Sequence, residues 1–152
     1  MSSITTQTQT RNQLITTSDV SKLALGSNDF VEGTYTDSGS GSTISEGTVM
    51  GKVAATGKLV LLDPTASDGS QTPVGIVYLG LNSSITVAAS ADQTLTLINK
   101  GRVAENKLVF DTGVTIEDLI TADVMDRSVR DYLNAMGIIL EGGTELTEYD
   151  NL

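Results

Sequence analysis

The chain has 152 residues, a formal net charge of −10, no His, no Cys and no Trp, and aromatic residues make up only 4% of it. The negative charge repels nucleic-acid phosphates and anionic membrane surfaces, so neither is expected as a partner. Without His the commonest general base near neutral pH is missing, and without Cys there are neither disulfides nor thiolate metal sites.

The length suits one domain, able to bury roughly 70% of its unfolded surface without a staple. The charge is uneven: residues 111–152 carry ten acids against Arg127 and Arg130, whereas acids and bases balance over residues 46–110. The opening stretch "MSSITTQTQT" has neither a basic n-region nor an apolar h-region, so no signal peptide is read there. No apolar run approaches the length of a membrane span.

Residues 1–45 read as an extended N-terminal arm. The first twenty are rich in Ser, Thr and Gln, too polar to order themselves by burial. "QLITT" (Gln13 to Thr17) is apolar and β-branched and suits pairing with another sheet edge. A second apolar patch follows in "KLALGSNDFV" (Lys22 to Val31), and "GTYTDSGSGST" (Gly33 to Thr43) reads as a flexible connection.

A compact β-rich body is expected over residues 46–141. "TVMGKVA" and "GKLVLLD" read as two strands around a turn at Ala55–Gly57. "VGIVYLG" (Val74 to Gly80) is almost wholly apolar, which predicts a strand buried on both faces. "SITVAA" follows, then "QTLTLIN" (Gln93 to Asn99), whose Thr and Leu alternate with the period of a half-buried strand. "GRVA" and "KLVF" (Lys107 to Phe110) continue the pattern. Met125, Val129, Tyr132 and Met136 then recur at helical spacing, with Asp123 or Asp126 as N-cap, Asp126–Arg130 and Arg127–Asp131 as surface pairs and Gly137 as C-cap. "IIL" (Ile138 to Leu140) reads as a last strand, and residues 142–152 as an acidic tail. The expected fold class is α+β, mainly β: a small barrel- or sandwich-like core with one late helix.

Four stretches invite a chemical reading. The loop from Asp63 to Pro73 carries two aspartates, but its Gly69 falls at the seventh position and Val74 at the twelfth, so it lacks the pattern of a calcium loop. Asp63 and Asp68 are expected to accept local backbone bonds instead. "GKVAATGKL" (Gly51 to Leu59) has five residues between its glycines and Leu59 after Lys58, so it reads as a hairpin rather than a phosphate loop. Ser70 has no His and no suitably spaced Lys to activate it. Glu117, Asp118, Asp123 and Asp126 cluster at the predicted helix start, where acids complement the macrodipole. No catalytic residue, metal or cofactor is expected.

The order of "GTVMGKVAATGKLVLLDP", "ASDGSQTPVGIVY", "KGRVAENKLVF" and "RSVRDYLNAMGIIL" over about Gly47 to Leu140 resembles the head decoration proteins of tailed phages, typified by the lambda decoration protein D. The resemblance implies a structural, non-enzymatic protein with a mixed α+β domain and a small β core. It implies homotrimers on the outside of the expanded head, bound to the major capsid protein and stabilising it against internal DNA pressure. It also implies an N-terminal arm that orders by adding a strand to that partner. Leu14, Ile15, Thr16 and Thr17, with Leu23 and Leu25 as a second anchor, are the residues expected to make this contact. Two other classes compete: a β-rich tail, fibre or adhesin module binding a receptor, and an enzyme acting on sugar through paired carboxylates, which the scarcity of aromatic platforms disfavours.

Overall fold

The computed structural model describes residues 23–142. Its elements are β1 (Asp29–Thr36), β2 (Ser42–Ser45), β3 (Val49–Lys52), β4 (Leu59–Leu61), β5 (Gly75–Val77), β6 (Ser84–Val87), β7 (Asp92–Ala104), a 3-10 turn (Glu105–Lys107), α1 (Val129–Ala135) and β8 (Ile138–Glu141). The fold is mainly β with a single late α-helix among the described residues, as the sequence pattern predicts.

Five strands close on themselves. The order runs β1-β4-β3-β5-β7, and β7 returns to β1. Along that last seam eight residues of β1 pair antiparallel with β7, from Asp29 opposite Lys100 to Thr36 opposite Asp92, with an irregularity between Asp29 and Phe30. The β1–β4 seam is a single parallel pair, Tyr35 with Leu59. Closure leaves few free backbone edges, the arrangement that protects small barrels from pairing with stray strands. β8 extends the sheet by pairing in parallel with the far end of β7, Gly101 to Ala104. β2 and β6 form a separate two-stranded ribbon.

Strand alternation divides the core in two. On β3 and β5, neighbouring residues point to opposite faces: Val49 and Ile76 join one cluster, with Leu62, Ile98, Ile120, Val129, Leu133 and Ile138. Met50 and Val77 join the other, with Tyr35, Ile44, Leu59, Val87, Leu95 and Leu97. β5 is therefore buried on both sides, as its unbroken apolar run implies. The first cluster is roofed by α1 and β8, and the second includes the β2–β6 ribbon.

Three parts of the structure differ from the sequence pattern. "QTLTLIN" and "GRVA" form one 13-residue strand; the chain passes through Gly101 at φ 130°, where a Cβ would lie 2.3 Å from the Asn28 side-chain oxygen. "KLVF" contributes only a bridge between Thr48 and Val109. The helix begins at Val129 rather than near Met125, because Ser128 and Asp131 form a capping box: the Asp131 N–H donates to the Ser128 hydroxyl and the Ser128 N–H to the Asp131 carboxylate. Asp126 has φ 51°, a left-handed conformation that no helical residue adopts. Neither Asp123 nor Asp126 caps the helix. Gly137, at φ 94°, ends it as expected. Seven residues are too few for a helix to stand alone; Val129 and Leu133, fully buried, hold it on the sheet.

The body also begins earlier than residue 46. β1 and β2 lie within the stretch the sequence pattern assigns to an arm. The Gly- and Ser-rich segment between them is a built turn: the Asp37 carboxylate accepts the backbone N–H groups of Gly39 and Gly41 at 2.8 Å, and that of Ser90 at 3.2 Å. Those bonds hold its pKa down to about 2 from 3.8.

Two outcomes follow. A Cβ on Gly51 would lie 2.1 Å from the Ser70 carbonyl oxygen, so Gly51→Ala should destabilise the fold by about 3 kcal/mol through overpacking. The melting temperature should fall by ~10 °C; an unchanged value would mean that β3 and the Ser70 loop are not locked together. The depressed Asp37 carboxyl contributes stability that is complete above its unfolded value of 3.8 and is lost as the pH falls toward about 2. Urea midpoints measured between those values should decline in the native protein and decline less in Asp37→Asn; equal slopes would contradict the role given to Asp37.

Candidate functional site

Leu14, Ile15, Thr16 and Thr17, the sequence-predicted capsid contact, lie outside the described residues. Leu23 and Leu25 lie inside them, and their side chains are spent on the body. Leu23 is 3% exposed and Leu25 7%. The Ala104 N–H donates to the Leu23 carbonyl and the Leu25 N–H to the Arg102 carbonyl, both at 2.9 Å, around an antiparallel bridge from Ala24 to Val103. Asn28 adds a side-chain clasp: its amide donates to the Arg102 carbonyl and its oxygen accepts the Arg102 N–H. This short segment therefore fastens the start of the described chain to one edge of β7, while β8 holds the other edge.

The loops that invited a chemical reading are occupied by their own backbone. Asp63 accepts the Thr65 N–H and hydroxyl, and Asp68 the Ser70 N–H and hydroxyl, which holds both carboxyls below their usual values. Ser70 is buried, and its hydroxyl lies on Asp68, a partner whose depressed pKa makes it a poor base. Gly51 to Leu59 is the β3–β4 hairpin, closed by the Val53 N–H on the Lys58 carbonyl at 3.0 Å. Among the described residues no group of three or more His, Cys, Asp or Glu side chains is placed to hold a metal ion.

The acids near the helix are tied to arginines, though not in the expected pairs Asp126–Arg130 and Arg127–Asp131. Arg127 turns back to Asp123, donating from its backbone N–H at 3.0 Å and from Nε at 2.8 Å. Its guanidinium also donates to the Tyr132 hydroxyl and lies 4.3 Å from that ring. Chiefly through the Arg127 side-chain bond, the Asp123 carboxyl falls to about 2. Arg130 grips both oxygens of Glu105 at 2.6 and 2.8 Å and reaches Glu117 at 2.7 Å. That three-way contact fastens α1 to the turn after β7 and to the loop before the helix. It raises the guanidinium's pKa and lowers that of Glu105. Sequence spacing alone could not reveal a partner 25 positions away.

Apolar side chains remain exposed at two places, among others, within the described residues. Phe30, 47% exposed, stacks at 5.1 Å on Tyr78, and with Leu79, Gly80, Thr94 and Thr96 it lines a shallow groove of about 560 Å³. The loop before α1 exposes Leu119, Val124 and Met125. Met125 belongs on neither a helix nor the core, contrary to its place in the apolar stripe. These surfaces offer apolar contact area.

A family model described as bacteriophage lambda head decoration protein D matches residues 36–130. The match covers more than half of the 152-residue chain and runs from the last residue of β1 into the first turn of α1. No curated protein matches the chain. The matched family is structural, and its members are components of the virion's capsid surface. The chain accordingly belongs to the bacteriophage lambda head decoration protein D family.

Proposed function

We propose that this protein is a cement: it binds the major capsid protein on the outside of the expanded head as trimers, and stabilises the head against internal DNA pressure without catalysing a reaction. The observation that carries the reading is the family match across the barrel. It favours the head over the receptor-binding tail module that composition alone allowed.

The contact is assigned to residues before Leu23. Leu23 and Leu25 are consumed by β7, so the capsid-facing role falls to Leu14, Ile15, Thr16 and Thr17. Leu14 lies nine positions before Leu23, a reach of about 30 Å when extended. A strand added to an unpaired edge gains main-chain bonds, and its β-branched side chains supply register. Ordering such a segment costs conformational entropy, which limits the affinity of a single arm. Three arms on one trimer raise it through effective concentration. Preference for the expanded head follows if the receiving edge, or the spacing of three such edges, exists only in that state.

Co-sedimentation with shells of the source phage tests this. Full-length protein should pellet with expanded shells and not with unexpanded ones. A variant lacking residues 1–20 should bind expanded shells at least tenfold more weakly. Equal binding of full-length protein to both shells would contradict the selectivity, and undiminished binding of the truncated variant would remove the arm as the contact.

A further inference from the structure

β8 ends the larger sheet: β7 lies on one of its edges, and no strand of the described residues lies on the other. The hydrogen bonds to β7 show which groups this leaves over. Gly101 donates its N–H to the Gly137 carbonyl at 3.1 Å. With Gly101 opposite Ile138 in a parallel ladder, the main chain of Ile139 and Glu141 then also faces β7. The N–H and C=O groups of Ile138 and Leu140 point the other way, and such an edge pairs with any extended chain that reaches it. The side chains are divided as well. Ile138 is 1% exposed and belongs to the core cluster under α1, whereas Ile139, on the opposite face, is 57% exposed.

We infer that the chain closes this edge itself: residues 145–149 turn back as an antiparallel strand on β8, around a tight turn at Gly143 and Thr144. The inference goes beyond the cement reading and does not depend on it, and the family match ends at residue 130. Three observations select this occupant. The first is proximity. β8 runs into Gly142, which lies outside the left-handed region and so continues the strand, and ten residues follow it. A segment tethered by two residues meets the edge at a far higher effective concentration than a separate chain does. The second is turn chemistry. A two-residue hairpin turn of type II′ takes Gly at its first position, which Gly143 supplies. Gly142 follows Ile138 and Leu140 in the outward-facing series, so Gly142 and Glu145 flank the turn. Leu140 then comes opposite Thr147 and Ile139 opposite Glu148, with Leu146 diagonal to the exposed Ile139. The third is charge. Lys100 has no carboxylate partner among the described residues. Its side chain lies across Gly137, with Cγ 3.1 Å and Cε 3.4 Å from where a Cβ would be. The same register sets Asp150 opposite Gly137, beside the Lys100 side chain, where opposite charges attract. An open β8 edge would accept any extended segment, the protein's own Gln13 to Thr17 included; the returning tail keeps it closed.

Two measurements test this. Amide exchange at Leu140 reads the outward edge. It should be slow in the parent and at least tenfold faster in a variant ending at Gly142, while the Glu141 amide, which faces β7, keeps its parent rate. Equal exchange of Leu140 in the two proteins would overturn the inference. The double variant Ile139→Cys, Glu148→Cys reads the register in the full chain, which has no Cys of its own. Directly opposed residues of a non-hydrogen-bonded antiparallel pair lie about 4.5 Å apart between Cα atoms, inside the range that a disulfide spans. Mild oxidation should join the two within one chain, seen as a monomer of altered mobility on a non-reducing gel. A cross-link only between chains would overturn the inference by giving the edge to a second copy, and no cross-link at all would overturn it by leaving the edge open. The cysteine pair decides the matter even if the shortened variant does not fold. Failure of the parent protein to pellet with shells would overturn the cement reading and leave this inference standing.

Discussion

The structure depends on one strand. β7 runs for 13 residues, and strands pair on both of its edges. β1 pairs with eight of its first nine residues, β5 with Leu97 and Ile98, β8 with its last four and Ala24 with Val103. It supplies Leu95 and Leu97 to one core cluster and Ile98 and Val103 to the other. Those four side chains are essentially inaccessible, each worth about 1.5–3 kcal/mol of burial. The barrel closes because β7 returns to β1, and β8, which follows α1, lies on the end of β7. A strand shared by both halves makes local fraying of either one costly.

Much of this was legible where a single period governs. The alternation of Leu95 and Leu97 with Thr94 and Thr96 marked a half-buried strand, and the unbroken run through Val77 marked one covered on both faces. Legibility failed where tertiary contacts outweigh local pattern. Gly101 looks like the end of a strand, but the Asn28 side chain occupies the space that any Cβ would need, and the pairing continues past it. Met125 fits the apolar stripe of α1 by spacing alone. The stronger signal was Ser128 with Asp131 three positions on, a start signature that places the helix first turn after Met125. Leu23 and Leu25 read as anchors for a partner because they form an apolar patch in a stretch read as an arm; what decides their fate is the edge of β7, some 80 positions away in the chain.

The charges show the same division between local and distant causes. Asp63 and Asp68 do what short-range turn chemistry predicts. Arg130 ignores Asp126, four positions away, for Glu105 and Glu117, since the left-handed turn at Asp126 takes that residue off the helix. No set of titratable groups converges on a cleft among the described residues. The ion pairs of Arg130 instead fasten α1 to the turn after β7 and to the loop before the helix. Electrostatics here serves assembly of the body.

The central claim joins a body organised by β7 to the capsid contact proposed at Leu14, Ile15, Thr16 and Thr17. Hydrogen–deuterium exchange, followed by residue on the free protein and on the protein bound to expanded shells, tests it most directly. The account predicts that the amides of Leu95 to Ala104 exchange slowly in both states, and that those of Gln13 to Thr17 become protected only on the shell. Fast exchange along β7 in the free protein, or unchanged exchange at Gln13 to Thr17 after binding, would contradict it.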